Sequence, residues 1–410
     1  MTMITRLVLL LILHMASSLD NGLARTPPMG WMSWTAFYCE INCESHPDHC
    51  INEKLYQEMA DRLAEDGFLD VGYNRIHIDD CWMERERDKS GRLLADHQRF
   101  PSGIKKLSKY MHDRGLQLGI YEDYGTKTCE GYPGSLDHLE IDAETFASWD
   151  VDYLKLDGCN VNTTLMPTGY PEMERALNAT GRPIVYACGW PLFFYIDGKK
   201  DKINYTAVRS ACNSWRIYND VIGNWNSISD IIRFVDANQD VLAAAQAPGG
   251  WNDPDMIVAA LPNVTLDQAM VQMTLWSIWS APLIMSNDLR VLKPEIRDIL
   301  LNRNVIAIDQ DPLGIMGKLV RRIKYISIYV KPVTPVRNGH YSYAVAVVNM
   351  HEQKDKQINF TLKSIGLENA NGYQLLNLWT GEDLGRVMPS FVYSVKLRPT
   401  SVSFVKLTVQ

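Results

Sequence analysis

The sequence predicts a (β/α)8 TIM barrel followed by a C-terminal antiparallel β-sandwich. Three observations carry this. Apolar runs alternate with helix-length stretches as far as about residue 315, eight such runs occur, and from about Val320 the pattern changes to short alternating strands broken by Gly, Pro and Asn. In chain order the eight runs are "MGWMSW", "YNRIHIDDCW", "LQLGIYEDYG", "VDYLKLDGCN", "RPIVYACGW", "ACNSWRI", "LAAAQAPGGWNDPD" and "SAPLIMSND". Between them, Asn52 to Asp66 and Leu266 to Ser280 carry apolar residues three or four apart, as an amphipathic core-facing helix requires. A doubly wound open sheet is the competing architecture, but no G-x-G-x-x-G turn follows the first strand. The sandwich strands are "YISIYVK", "YSYAVAVVN", "QINFTL", "YQLLNLW" and "SVSFVKLTV". The division falls near residue 316, giving a barrel over 19–315 and a sandwich over 316–410 that caps it.

The chain has 410 residues, 46% hydrophobic and 22% charged, enough to bury a large core. Its net charge of -7 is spread without long single-sign runs, so no basic stripe is offered to nucleic acid or an anionic membrane surface. Residues 1–18, "MTMITRLVLLLILHMASS", have the form of a signal peptide with cleavage expected after Ser18. The apolar run from Leu7 to Leu13 is too short to span a bilayer, and no later segment is long and apolar enough. The expected location is the secretory pathway, lysosomal or extracellular. Eight cysteines (Cys39, Cys43, Cys50, Cys81, Cys129, Cys159, Cys188 and Cys212) suit four disulfides in an oxidising lumen, with the pairing left open by sequence. A zinc site is the rival reading of "CEINCESHPDHC", but paired C-x-x-C knuckles are missing. Sequons at Asn162, Asn178, Asn204, Asn263 and Asn359 agree with the lumen. Neither a metal nor another cofactor is expected.

In a (β/α)8 barrel the active-site side chains stand at the C-terminal ends of the strands. The polar residues there are Asp79, Asp80, Tyr121, Asp123, Lys155, Asp157, Arg216, Asp220, Asp253 and Asp255. A single strand-end Asp commonly caps the next helix; recurrence at strand after strand points instead to a carboxylate-lined mouth. Trp31, Trp34, Trp82, Trp190, Trp215 and Trp251 accompany these acids. Core packing accounts for many tryptophans, but aromatic faces among carboxylates also suit a sugar ring, apolar on its C–H faces and polar at its hydroxyls. The chemistry suggested is glycoside hydrolysis by two carboxyl groups.

"LDNGLARTPPMGWMSW", "RIHIDDCW", "YLKLDGCN", "GGWNDPDM" and "PLIMSNDLR" resemble the secreted and lysosomal α-galactosidase and α-N-acetylgalactosaminidase family, glycoside hydrolase family twenty-seven. The resemblance runs from the expected mature N-terminus through "AIDQDPLG" and more loosely into the sandwich. It implies that Asp157 is a nucleophile forming a covalent glycosyl-enzyme and Asp220 the acid/base, with retention of configuration. It implies that Trp34, Asp79, Asp80 and Lys155 hold a terminal galactose, with Arg216 near the 2-position and Tyr121 and Asp255 bordering the site. Lys155, two residues before Asp157, shares its strand face and is expected to keep it ionised. The resemblance pairs Cys39 with Cys81, Cys43 with Cys50, Cys129 with Cys159 and Cys188 with Cys212, and it implies a homodimer.

One segment departs from the family pattern. In "YACGWPLFFY", Gly189 stands where α-galactosidases of this family carry Glu and α-N-acetylgalactosaminidases carry Ser, and Leu192 stands where the former carry Leu and the latter Ala. Phe193 replaces an expected Tyr. Leu192 would crowd a 2-acetamido group, whereas Gly189 removes an acceptor and is expected to open space. A clash costs more than one hydrogen bond of about 1 kcal/mol, so the expected substrate is a terminal α-galactosyl glycoconjugate, with an α-N-acetylgalactosaminyl one the alternative. A catalytically silent carbohydrate-binding barrel would require loss of Asp157 or Asp220, and both are present. A metal-dependent hydrolase built on "HIDDCW" and "WNDPDM" would lack a histidine set and would face Lys155 and Arg216.

Overall fold

The computed structural model describes Leu19 and residues 21–410, so the expected signal peptide lies outside the described residues. Eight short parallel strands follow one another in space: β1 (Met29–Met32), β2 (Arg75–His77), β3 (Gln117–Asp123), β4 (Tyr153–Asp157), β5 (Val185–Cys188), β6 (Ser214–Arg216), β7 (Trp251–Asp253) and β8 (Leu283–Met285). β1 also pairs with β8, and a parallel bridge from Ile257, just after β7, to Met285 closes the ring into a barrel. Each strand lies within one of the eight runs read from the sequence. The seventh differs in extent: Leu242 to Ala245 end the long helix Trp225–Ala245, and the strand begins only at Trp251, after the proline and glycines break the chain.

The helix Glu53–Glu65 starts at Asn52, whose side chain accepts from Leu55 N, and buries Leu55, Tyr56, Met59, Ala60 and Leu63 on one stripe. Leu266–Trp279 opens with a capping box between Thr265 and Gln268. Contrary to the amphipathic reading, this helix is buried almost all round from Val271 onward. The barrel covers one side, and the sandwich strands pack on the other. That second contact is tertiary and leaves no period in the sequence.

The C-terminal part forms a six-stranded antiparallel sheet, with a two-stranded one beside it. Its strands are β9 (Lys318–Ile323), β10 (Ile326–Arg337), β11 (His340–Asn349), β12 (Lys356–Thr361), β13 (Tyr373–Asn377), β14 (Asp383–Val387), β15 (Val392–Leu397) and β16 (Val402–Val409). Ile328, Val345, Val347, Leu375, Val405 and Leu407 fill a core of their own. Lys331 on β10 is fully buried against the barrel, where its ammonium donates to Ser277 O (2.9 Å), Ser280 Oγ (2.6 Å) and Ile308 O (2.5 Å). Among the described residues no helix is long and apolar enough to cross a membrane.

Candidate active site

The carboxylates read from the strand ends meet at one mouth. Past β2, Asp79 and Asp80 are both buried. Asp79 Oδ2 accepts from Lys155 Nζ at 2.9 Å, and Asp80 accepts from the backbone N–H of Cys81 (2.6 Å) and Glu130 (3.0 Å). Burial pushes the Asp80 carboxyl up to about 6 against those donors. Cys81 itself takes the left-handed conformation at φ 73, and its disulfide to Cys39 helps to hold that turn.

β3 and β4 pair in register, with Tyr121 opposite Lys155 and Asp123 opposite Asp157. The alternation of the strands therefore brings all four side chains to one face. Tyr121 Oη donates to Asp157 Oδ2 at 3.3 Å, and the Tyr170 hydroxyl, on the next helix, donates to Asp157 O at 2.8 Å. Lys155 stays cationic: burial opposes the charge, but Asp79 and Asp157 raise its affinity for a proton more strongly. Its nearest partner is nevertheless Asp79. Burial dominates at Asp157, and its carboxyl lies above the ordinary value although Lys155 and Arg216 pull it down.

At the far wall, Arg216 ends β6 and is buried between two acids: it bonds Asp220 Oδ1 at 2.8 Å and faces Asp255 Oδ1 at 3.3 Å. Asp220 side-chain exposure is 54%, so solvent and ligand reach it. Burial raises the Asp220 carboxyl, yet the Arg216 and Lys155 charges together with the Arg216 hydrogen bond bring it below its usual range. Asp255, at φ 80, accepts from Val221 N at 2.7 Å and is lifted by burial to about 7. Asp253 is also raised by burial and accepts from Asp255 N at 2.8 Å.

A cavity at this mouth is lined by Lys155, Asp157, Gly189, Arg216 and Asp255, with an apolar floor that includes Met32. The floor was missed in the sequence, although Met32 occupies the last position of β1, where the inward stripe ends. Leu192 is buried one helical turn beyond Gly189 but does not line this cavity. Gly189 does not open space. A Cβ there would lie 2.9 Å from Asp157 Oδ1 and 3.0 Å from Phe193 Cε2, so the room given up by the missing side chain is already filled. Of the six tryptophans, Trp31, Trp82, Trp190, Trp215 and Trp251 are core residues, 0–1% exposed, and only Trp34 is partly exposed after β1. A barrel packs its widest rings between strands and helices, and burial of that area outweighs display at the rim.

The structure forms four disulfides, Cys39–Cys81, Cys43–Cys50, Cys129–Cys159 and Cys188–Cys212, and no cysteine among the described residues is free. Two groups among the described residues come close enough to suggest metal ligands, Cys39, Cys81 and Glu130, and Asp123, Cys129 and Cys159. In both, the sulfurs are already spent in disulfides.

A family model described as alpha galactosidase A matches residues 26–311, and one described as the alpha galactosidase C-terminal beta sandwich domain matches 324–407. The chain is 45% identical over 388 residues to alpha-N-acetylgalactosaminidase of Gallus gallus, covering 94% of each. It is 47% identical over 338 residues to alpha-galactosidase A of Homo sapiens, covering 82% of this chain and 77% of that one. Among solved structures, alpha-galactosidase I from Mortierella vinacea superposes with a TM-score of 0.83 at 29% identity, covering 95% of this chain and 98% of that one. A carboxylate-lined (β/α)8 mouth with these relatives defines a glycoside hydrolase. The chain belongs to the alpha galactosidase family, with both the barrel and the sandwich of that family present.

Proposed function

We propose that this enzyme removes terminal α-linked galactose from glycoconjugates by double displacement. The observation that carries the reading is the pairing at one mouth of Asp157, held by Tyr121 at the end of β4, with the accessible Asp220 beyond β6. Asp157 attacks the anomeric carbon as the bond to the leaving oxygen breaks, and Asp220 gives that oxygen its proton. Asp220 then takes a proton from water, the resulting hydroxide attacks the same carbon, and Asp157 leaves. In the free protein burial holds the Asp157 carboxyl above the ordinary value and Arg216 holds that of Asp220 below it. Protonating the leaving oxygen requires a proton on Asp220, so in this reading the sugar draws Arg216 toward its 2-substituent and excludes water from Asp220. The carboxyl of Asp220 then rises and takes the proton, leaving Asp157 ionised beside Lys155.

Asp79, Asp80 and Lys155 would bind ring hydroxyls and Trp34 the apolar face. The barrel, 19–315, is the catalytic domain, and the sandwich, 316–410, covers its side. The five sequon asparagines are all exposed, and the four disulfides suit a luminal enzyme of the secretory pathway, in lysosomes or outside the cell. The homodimer implied by the family resemblance belongs to the same proposal.

The reading of galactose over N-acetylgalactosamine rests on Leu192 in the sequence, where the family's α-galactosidases also carry Leu, although Leu192 lies behind the cavity wall. The relatives carry both names, so an α-N-acetylgalactosaminidase is the second reading. The test compares hydrolysis of an α-galactoside and an α-N-acetylgalactosaminide with the same leaving group at several acidic pH values. Preference for the galactoside is expected; preference for the acetamido sugar would refute the substrate assignment but leave the family chemistry standing.

A further inference from the structure

We propose that Asp123 is the positioning residue of the nucleophile, fixing the loop that follows Asp157; this rests on the reading of Asp157 as nucleophile. Asp123 ends β3, is fully buried, and stands in register opposite Asp157 on β4. Its two oxygens are shared between two loops. Oδ1 accepts from Gly125 N at 2.6 Å, which shapes the turn leaving β3, and Oδ2 accepts from Cys159 N at 2.8 Å, two residues beyond the nucleophile. One carboxylate thus ties together the loops that carry Cys129 and Cys159, alongside the disulfide that joins them. The fit between these loops is close: a Cβ on Gly125 would lie 2.0 Å from Cys159 O and 2.9 Å from Asp123 Oδ1. An asparagine at 123 keeps the shape but supplies only one acceptor oxygen, so one of the two N–H groups loses its partner.

The charged or titratable groups that face Asp123 are Asp157 on β4, Asp80 after β2, Glu122 and Tyr121 on its own strand and Tyr170 on the helix after β4. The two N–H donors favour a charge on Asp123, but burial, with Asp157 beside it, outweighs them and holds its carboxyl well above the ordinary value.

The experiment compares Asp123→Asn and Asp123→Glu with the wild-type enzyme, recording kcat, KM and the pH profile of kcat/KM on an aryl α-galactoside. For Asp123→Asn, kcat should fall about tenfold with KM little changed, because a loosened nucleophile loses alignment rather than binding. The acid limb should stay in place, because burial and Asp157 itself disfavour a charge on Asp123. Asp123→Glu keeps a carboxyl but misplaces it, so kcat should fall there too with KM little changed. Wild-type kcat in either variant, or a rise in KM in place of the fall in kcat, would overturn the proposal, and an acid limb moved down in Asp123→Asn would show that Asp123 acts through its charge rather than by positioning. If Asp123→Asn fails to fold, the Glu variant decides: reduced kcat with KM little changed supports the proposal, and wild-type kcat overturns it. An activated 2-fluoro galactoside followed by peptide mass spectrometry separates this from the underlying reading. Label on Asp157 upholds the nucleophile, whereas label on Asp123 or elsewhere refutes that assignment and the proposal with it.

Discussion

Replacing Gly189 by alanine places a methyl carbon 2.9 Å from Asp157 Oδ1, 3.0 Å from Phe193 Cε2 and 3.2 Å from Asp157 Cα. Gly189 has φ -77 and ψ -11, a right-handed conformation that alanine adopts freely, so the backbone itself resists nothing. The two closest collisions are therefore with side chains, and the freer of the two is the Asp157 carboxylate. To reach an ordinary contact it retreats by roughly half an ångström, and the 3.3 Å bond from Tyr121, already long, is the first to break. Since a misplacement of about 1 Å costs about a hundredfold in rate, half of that predicts a fall in kcat of about tenfold, or about 1.4 kcal/mol. Stability should fall by about 2.6 kcal/mol or less: overpacking costs about 1–3 kcal/mol, of which the stiffer unfolded chain returns about 0.4–1 kcal/mol. The assay is kcat and KM on an aryl α-galactoside, with thermal unfolding on the same preparation. Unchanged kcat in a folded Gly189→Ala enzyme would refute the reasoning, because Asp157 would then tolerate a neighbour that the geometry forbids.

Three further outcomes are expected. Asp157→Asn should abolish turnover while the melting temperature stays near wild type, and normal turnover would remove Asp157 from the mechanism. Lys331→Met should leave Ser277 O, Ser280 Oγ and Ile308 O without their shared donor between barrel and sandwich. At about 1–3 kcal/mol for each buried group left unpaired, unfolding should occur at clearly lower denaturant, and an unaltered midpoint would show the junction to be held by apolar packing alone. Finally, the protein should be more stable at pH 5 than at pH 7. Asp80 and Asp255 are raised to about 6 and about 7, and Glu122 and Asp309 are raised well above the ordinary value, all chiefly by burial. Carboxyls with a raised folded value bind protons more tightly in the native state, so their stabilisation is full below the unfolded value near 4 and is lost as pH rises through the folded one. For Asp80 alone the difference is about 3 kcal/mol between the two limits. Equal or lower melting temperature at pH 5 would count against it.

Much of this molecule was legible in the sequence because its signals are local. A strand of three to seven residues reads as such wherever it sits, and eight of them in alternation with helices imply the barrel, with β3, β4 and β7 ending in a carboxylate. Local signals could not say which acids touch which cations. Lys155, two residues from Asp157 on the same strand, was read as its partner, yet its ammonium bonds Asp79, 76 positions away. They could not separate display from burial either, since a tryptophan at a strand end reads alike whether it faces a ligand or, like Trp82 and Trp215, is sealed in the core.

The sequence by itself determined the order of elements, the family, and the identity of the carboxylates at the mouth, because periodicity and motif are properties of neighbouring residues. Only the tertiary structure decided how charge is shared among those carboxylates, what Gly189 leaves room for, and that the helix Leu266–Trp279 is covered on both sides. Those depend on distances between segments remote along the chain. Burial, which sets the proton affinity of every acid at the mouth, exists only once the barrel has closed around them.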